Sequence, residues 1–273
     1  MIKENDMIES FEGNDIFKEL SSPIRLKIMR NLHNKESTIS FLAKIFKTSI
    51  PAIQKHTDRL LVSGLIEKQE NGTLVLSPTG LATLEQIPFF EFLSKNMNYF
   101  QNHSFGNLPV QFIHRLGELS DGEFISNEMQ VWEKQRDCIF KTKKFSFGMT
   151  TQIPLEAYDI FVNKIKEGIV LRGIVGKNTF AAKGNSKQVK KIGIHNKIPK
   201  EKMEWRKMDK IGVFVIATEN EGFVSFENKK TKEADLGSTF YSKEPEFCKW
   251  CLDVFNYYWD TAKSFDPSQL EER

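Results

Sequence analysis

ISFLAKIFKTSIPAIQKHTDRLLVSGLIEK, residues 39–68, is the stretch on which the reading of the fold turns. A helix is expected from about Thr38, with Phe41, Leu42, Ile45 and Phe46 as its apolar stripe. Lys47 and Thr48 form a short break. Ser49 is then an N-cap, Pro51 lies in the first helical turn, where a missing N–H costs little, and Ile53, Leu60 and Leu61 fall inward. Gly64 ends this helix. Two helices joined by a tight turn, the second opening on small polar residues, is helix-turn-helix patterning.

The flanks extend the pattern. Upstream, Ser22 is an N-cap candidate, Pro23 stands at the first helical position, and Ile24, Ile28 and Leu32 repeat at four-residue spacing. Downstream, residues 65–70 and 73–76 flank Asn71-Gly72, a pair that tolerates the positive φ angles of a type I′ turn, so a two-strand hairpin is expected. Ser77-Pro78-Thr79-Gly80 opens a further helix. Helix, helix, recognition helix, hairpin and helix is the winged-helix order.

Charge sharpens that reading. The 273 residues carry a net charge of only +3, but residues 20–69 hold nine Lys or Arg against three Asp or Glu, a balance of +6. Residues 1–19 hold two basic and six acidic side chains. A local basic field is the footprint expected for a polyanion partner, and a solvated Lys-rich face is the plain alternative. On a recognition helix the N-terminal half meets the major groove, which singles out Ser49, Pro51, Ala52, Gln54 and Lys55. Gln54 can read adenine bidentately, Lys55 can serve guanine or phosphate, and Pro51 and Ala52 can touch thymine methyls. Lys47 and Arg59 are expected on phosphates, as are Lys68 and Gln69 on the wing. His56 stands four residues before Leu60, on the inward side, and reads as a core histidine before a base reader.

The stretches LSSPIRLKIMRNL (20–32), residues 39–68 and NGTLVLSPTGLATL (71–84) resemble the winged-helix domain of ArsR-like prokaryotic regulators. The most telling part is the run of His56, Leu60, Gly64, Leu65 and Ile66. The resemblance implies double-stranded DNA as partner. Metal sensors of that family keep a paired-cysteine motif on the helix before the recognition helix. Residues 41–46 here are FLAKIF, with no thiol, so neither metal nor cofactor is expected.

The remainder reads as a second domain. Residues 85–103 form a helix whose Phe89, Phe90, Phe92, Leu93, Met97 and Phe100 make a broad apolar face. Dimerisation is its expected use, because palindromic half-sites call for two-fold protein symmetry, and packing on its own second domain is the alternative. Further helices are expected at 109–116, 127–140, 155–167 and 244–264. Strands are expected at 122–125, 144–149, 168–175, 211–218 and 222–227. Alternating strands and helices argue an α/β sheet. The stretches QNHSFGNLPVQFIHRLGEL (101–119), IVLRGIV (169–175), GVFVIATENEGFVSF (212–226) and SKEPEFCKWCLDVFNYYW (242–259) resemble the sensor-like domain of archaeal winged-helix regulators of the methanogenesis and filamentation group. That domain is related in shape to the phospholipase-D-like fold, which implies a sensor derived from an enzyme scaffold.

The expected organisation is thus an α+β winged helix-turn-helix over 1–84, a linker and dimerisation helix over 85–104, an α/β effector-sensing domain over 105–265 and a tail over 266–273. Phospholipase-D-like chemistry needs His-x-Lys with an Asp about five residues later, supplied twice. His195-Asn196-Lys197 is followed by Lys202 instead, with no second copy, so no catalytic role is expected. Arg172, Asn178, Trp205 and Arg206 are polar residues beside apolar strands and are pocket candidates for an unidentified small-molecule effector. Cys248 and Cys251, at C-x-x-C spacing, are a redox candidate beside the plainer reading of two small buried residues. Three cysteines cannot frame a disulfide scaffold, the first residues lack the apolar core of a secretory signal, and the longest apolar runs are far too short to span a bilayer. The chain is therefore expected to be a cytoplasmic, homodimeric, sequence-specific transcriptional regulator with no membrane partner. Its rivals are a non-sensing architectural DNA-binding protein and an enzyme with an appended winged helix.

Overall fold

The computed structural model describes residues 14–153, 155–193 and 198–273, and the chain divides into two units, Met1–Ile87 and Pro88–Arg273. In the first unit α1 (Asn14–Leu20) and α2 (Pro23–Asn34) lead into α3 (Ile39–Ile45) and α4 (Ile50–Val62). The wing strands β1 (Ile66–Lys68) and β2 (Leu74–Leu76) follow, and then α5 (Pro78–Glu85). This is a winged helix. Its core is Ile28, Met29, Leu42, Ile53, Leu60, Leu65 and Leu74, all with essentially no exposed surface. Ser37 exchanges both backbone hydrogen bonds with Leu74, at 3.1 and 2.8 Å, adding a third segment beside the hairpin.

Local chemistry places these elements. The hydroxyls of Thr38, Ser49 and Ser77 accept from Phe41, Ala52 and Gly80 backbone N–H groups, satisfying donors that the first helical turn leaves unpaired. Ser22 holds the corresponding position before α2 but makes no such bond. Phe41 and Ile45, expected in the stripe of α3, are exposed, while Leu42 and Ala43 are buried. The wing turn is not type I′. Only Gly72 takes a positive φ there, 82°, and its N–H donates to Gln69 O at 2.9 Å.

The second unit continues through α6 (Ile87–Lys95), α7 (Met97–Asn102), β3 (His103–Ser104), α8 (Val110–Ile113), a 3-10 turn Leu116–Leu119, β4 (Glu123–Ile125), α9 (Glu128–Lys141) and β5 (Phe145–Ile153). Next come α10 (Leu155–Lys166), β6 (Val170–Ala181), α11 (Asn185–Ile192), β7 (Met203–Met208), β8 (Val213–Thr218), β9 (Gly222–Asn228), β10 (Thr239–Ser242) and α12 (Pro245–Thr261). β11 (Lys263–Ser264), a 3-10 turn Pro267–Gln269 and β12 (Glu271–Glu272) close the chain. Among the described residues the sheet runs β11-β7-β6-β5-β8-β9-β10-β4, with β12 beside β6 and β3 beside β9. β5, β6 and β7 are mutually parallel, whereas β8, β9, β10 and β4 pair antiparallel. Every residue of β8 and all but the last of β9 is buried. The amphipathic helix α12 covers one face through Phe247, Trp250, Cys251, Val254, Phe255 and Tyr258, at three- and four-residue spacing.

Several expectations are corrected here. Residues 85–103 are two helices broken at Asn96, and their apolar face lies on their own unit. Phe92 and Tyr99 join its core with Phe89, Leu93 and Phe100 against them, while Phe90 and Met97 stay exposed. Residues 109–116 yield only a four-residue helix and a 3-10 turn, because Trp250 Nε1 takes up Phe112 O at 3.2 Å and Gly117 sits against Pro88 and Phe89. The segment 266–273 is not a free tail. Leu270 is buried, β12 pairs parallel with Phe180 and Ala181, and Glu272 accepts from the N–H groups of Gly184 and Ser186 at 2.9 and 2.7 Å. β7, β10 and α11 lay outside the expected elements.

Gly80 fixes how α5 meets the wing: a Cβ there would lie 1.8 Å from Leu65 O. Gly80→Ala is expected to lower stability by at least about 1–3 kcal/mol, read as a fall in the denaturant midpoint of the N-terminal unit. Unchanged stability would mean that this contact is slack.

Candidate nucleic-acid interface

Helix α4 is aimed by its core side. Ile53, Thr57 and Leu60 point inward, and Thr57 Oγ1 is absorbed by Ile53 O and Gln54 O at 3.1 and 2.9 Å. That leaves Ser49, Pro51, Gln54 and Lys55 exposed on the first two turns, with Ala52 half-buried. Lys47 is exposed in the turn before them, and Lys68 and Gln69 are exposed at the end of β1. Lys47 takes a φ of 50°, a left-handed conformation that favours glycine, so the tight turn between α3 and α4 puts a cation on a strained backbone.

Two side chains are held differently from expectation. Arg59 bonds Glu19, with Nη2 2.6 Å from Oε1, and the buried Glu19 carboxylate also pairs Arg25 at 2.7 Å. A buried carboxylate needs such partners, so Arg59 anchors α1 to α4 instead of standing ready for phosphate. Gln54 donates to Asp58 Oδ1 at 2.5 Å, one turn along the same face. The second Nε2 hydrogen and Oε1 are the atoms left to read adenine bidentately.

Sequence reasoning passed over Ile50. It is 55% exposed at the first position of α4, an apolar side chain beside the capping Ser49. Only its helix position could have given it away, since the inward face starts at Ile53. His56 is half-buried, and its Nδ1 is buried without a partner. Burial, then the charges of Arg25, Lys55 and Arg59, push its pKa below 6.5, which registers the positive potential along this helix.

In the second unit the four pocket candidates part company. Consecutive strand residues point to opposite faces, so Trp205 and Arg206 cannot line one cavity. Arg206 stacks over Trp259 at 4.1 Å and donates to its carbonyl at 2.6 Å, on the α12 side of the sheet. Arg172 lies on that side too, over Phe147 and Trp259 at 5.1 and 5.2 Å. Trp205 is on the opposite face, under α10, where its ring covers Gly173. Asn178 is in neither place and bonds Glu233 at 3.1 Å. Cys248 and Cys251 are both buried, their thiols directed to the carbonyls of Ser242 and Phe223. Burial pushes Cys248 up to about 11 and Cys251 well above its ordinary value, which opposes thiolate chemistry at C-x-x-C. His195 and Lys197 lie outside the described residues. No group of three His, Cys, Asp or Glu among the described residues could hold a metal ion, and no described helix is long and apolar enough to cross a membrane.

No family model matches the sequence, and no curated protein matches it. Among solved structures the chain is similar to TrmBL2, titled an archaeal chromatin protein with a novel mode of DNA binding, at 14% identity. That match covers 87% of this chain and 92% of that one, with a TM-score of 0.43. It is also similar to an ArsR-family transcriptional regulator, at 23% identity over 38% of this chain and 100% of that one, TM-score 0.24. NucT from Helicobacter pylori is similar at 11% identity over 53% and 99%, TM-score 0.40. These likenesses are partial. The winged helix stands on its own element order and on the Ser37–Leu74 pairing.

Two outcomes follow from the strained turn and the cation-ringed histidine. Lys47→Gly is expected to leave the melting temperature unchanged or raise it, by at most about 1 kcal/mol of stability, while weakening any polyanion affinity. A variant that melts lower would refute the strain. His56 favours its neutral form in the folded state, so its contribution to stability is intact above pH 6.5 and declines as pH falls through the window below 6.5. An NMR titration should place its midpoint below 6.5; a midpoint at or above that value would overturn the electrostatic reading.

Proposed function

We propose that the chain is a sequence-specific DNA-binding transcriptional regulator, acting as a cytoplasmic homodimer whose C-terminal unit responds to a small-molecule effector. One observation carries the reading: α4 leaves Ser49, Ile50, Pro51, Gln54 and Lys55 exposed on its first turns, with the exposed cations Lys47 and Lys68 before and after it. That is the arrangement by which a helix enters a major groove while flanking cations meet phosphate. Exposed Phe90 and Met97 on α6 and α7 support self-association, although most of that apolar face is covered by its own unit.

The reading is tested on DNA from upstream of the chain's own gene against scrambled DNA, over several salt concentrations. A preference of about a thousandfold with a steep salt slope is expected. Gln54→Ala should relax the preference at one base position by about 1–3 kcal/mol, and Lys55→Ala should weaken binding to every sequence alike if Lys55 meets phosphate. Equal, salt-sensitive binding to both DNAs would favour an architectural protein. No binding at low salt would remove DNA as the partner.

A further inference from the structure

Helix α4 begins on an apolar tip. Ile50, Pro51 and Ala52 are its first three residues, with Ile50 and Pro51 exposed and Ala52 half-buried. Ile50 takes no part in the core of its unit, which α4 first joins at Ile53. The same turn offers little to a phosphate. A helix start leaves four backbone N–H donors open. Here Pro51 has none, and the Ala52 N–H is taken up by Ser49 Oγ at 3.3 Å. Ser49, the one polar side chain at this end, is turned back on the helix as its cap. An exposed isoleucine at such a place gains from apolar cover, and its neighbours add to that surface.

Charge narrows what can cover the tip. Lys44 in the last turn of α3, Lys47 in the connecting turn and Lys55 on the second turn of α4 are all exposed. None of these three ammonium groups bonds a described residue. The partner must therefore be apolar at one point and negatively charged around it. A DNA major groove has that layout, with phosphates along its walls and base edges on its floor. The apolar group displayed on that floor is the C5-methyl of thymine. Side chains able to hydrogen-bond base edges, Gln54 and Lys55, come only one turn later along α4.

We propose that Ile50 is a specificity-determining residue that packs on thymine C5-methyl groups, so that the preferred DNA carries thymine where the tip of α4 enters the groove. The proposal rests on the reading of the chain as a sequence-specific DNA-binding protein and adds the base that its leading side chain selects. Pro51 and Ala52 complete the apolar contact, and hydrogen-bonded readout is left to Gln54 and Lys55.

The test uses the full chain on two duplexes, the DNA upstream of its own gene and the same sequence with deoxyuridine in place of every thymidine. That exchange removes the methyl groups and keeps every hydrogen-bonding atom of the groove. The thymine duplex is expected to bind about five- to tenfold more tightly, the effect of burying one or two methyl groups. Ile50→Ala should weaken the thymine duplex about fivefold and leave the deoxyuridine duplex within about twofold, which couples this side chain to the methyl groups. Because Ile50 is 55% exposed, the melting temperature should stay unchanged. Ile50→Val, which keeps most of the apolar surface, should keep most of the preference. Equal affinity of the wild-type chain for both duplexes, or a preference that survives Ile50→Ala, would overturn the proposal. If the chain still prefers the upstream DNA to scrambled DNA in that event, only the role of Ile50 is lost. No binding to any duplex at low salt removes the DNA reading and this proposal together.

Discussion

Burial of β8 and β9 on both faces is the constraint that organises the larger unit. A strand sealed from water on each side must pair every backbone N–H and C=O along its edges, and must have apolar cover above and below. The edges are met by β5 and β10, which lock the antiparallel half of the sheet onto its parallel half. The cover is met by α12 on one face and, over β8, by α9 on the other. Each fully buried Val, Ile or Phe in these strands contributes roughly 1.5–3 kcal/mol, so this layer dominates the unit's cohesion.

The two units were unequally legible. In the first, the cues are local: capping hydroxyls at Thr38, Ser49 and Ser77, prolines in the first turns of α4 and α5, and glycines at 64 and 72. Each acts within a few residues of itself, so a reading of the sequence recovers it. Arg59 shows the limit, because its partner Glu19 lies forty residues away. In the second unit the continuous apolar runs at β6, β8 and β9 and the helical spacing of α12 were plain. β7 was hidden by its composition, since Met203 and Trp205 alternate with Glu204, Arg206 and Lys207 and the strand is only six residues long. Strand alternation alone would have separated Trp205 from Arg206 once β7 was known.

Gln135 and Ser146 carried no signal at all. A glutamine in a Lys- and Glu-bearing helix and a serine between two phenylalanines read as solvent-facing or incidental. What distinguishes them is burial, a property of the assembled sheet and helices. The recognition helix differs in kind: its outward side chains are a direct consequence of which ones face in.

The burial of the thiols has a practical consequence. The chain's three cysteines, Cys138, Cys248 and Cys251, are all buried in the C-terminal unit, and the winged helix has none. Alkylating reagents can reach them only through transient opening of that unit. Labelling rates would then serve as a clock for its local unfolding, blind to fluctuations of the DNA-binding half. Cys138, between α9 and Thr218 of β8, and Cys251, beneath α12 on β9, would time the release of opposite faces of the same sheet.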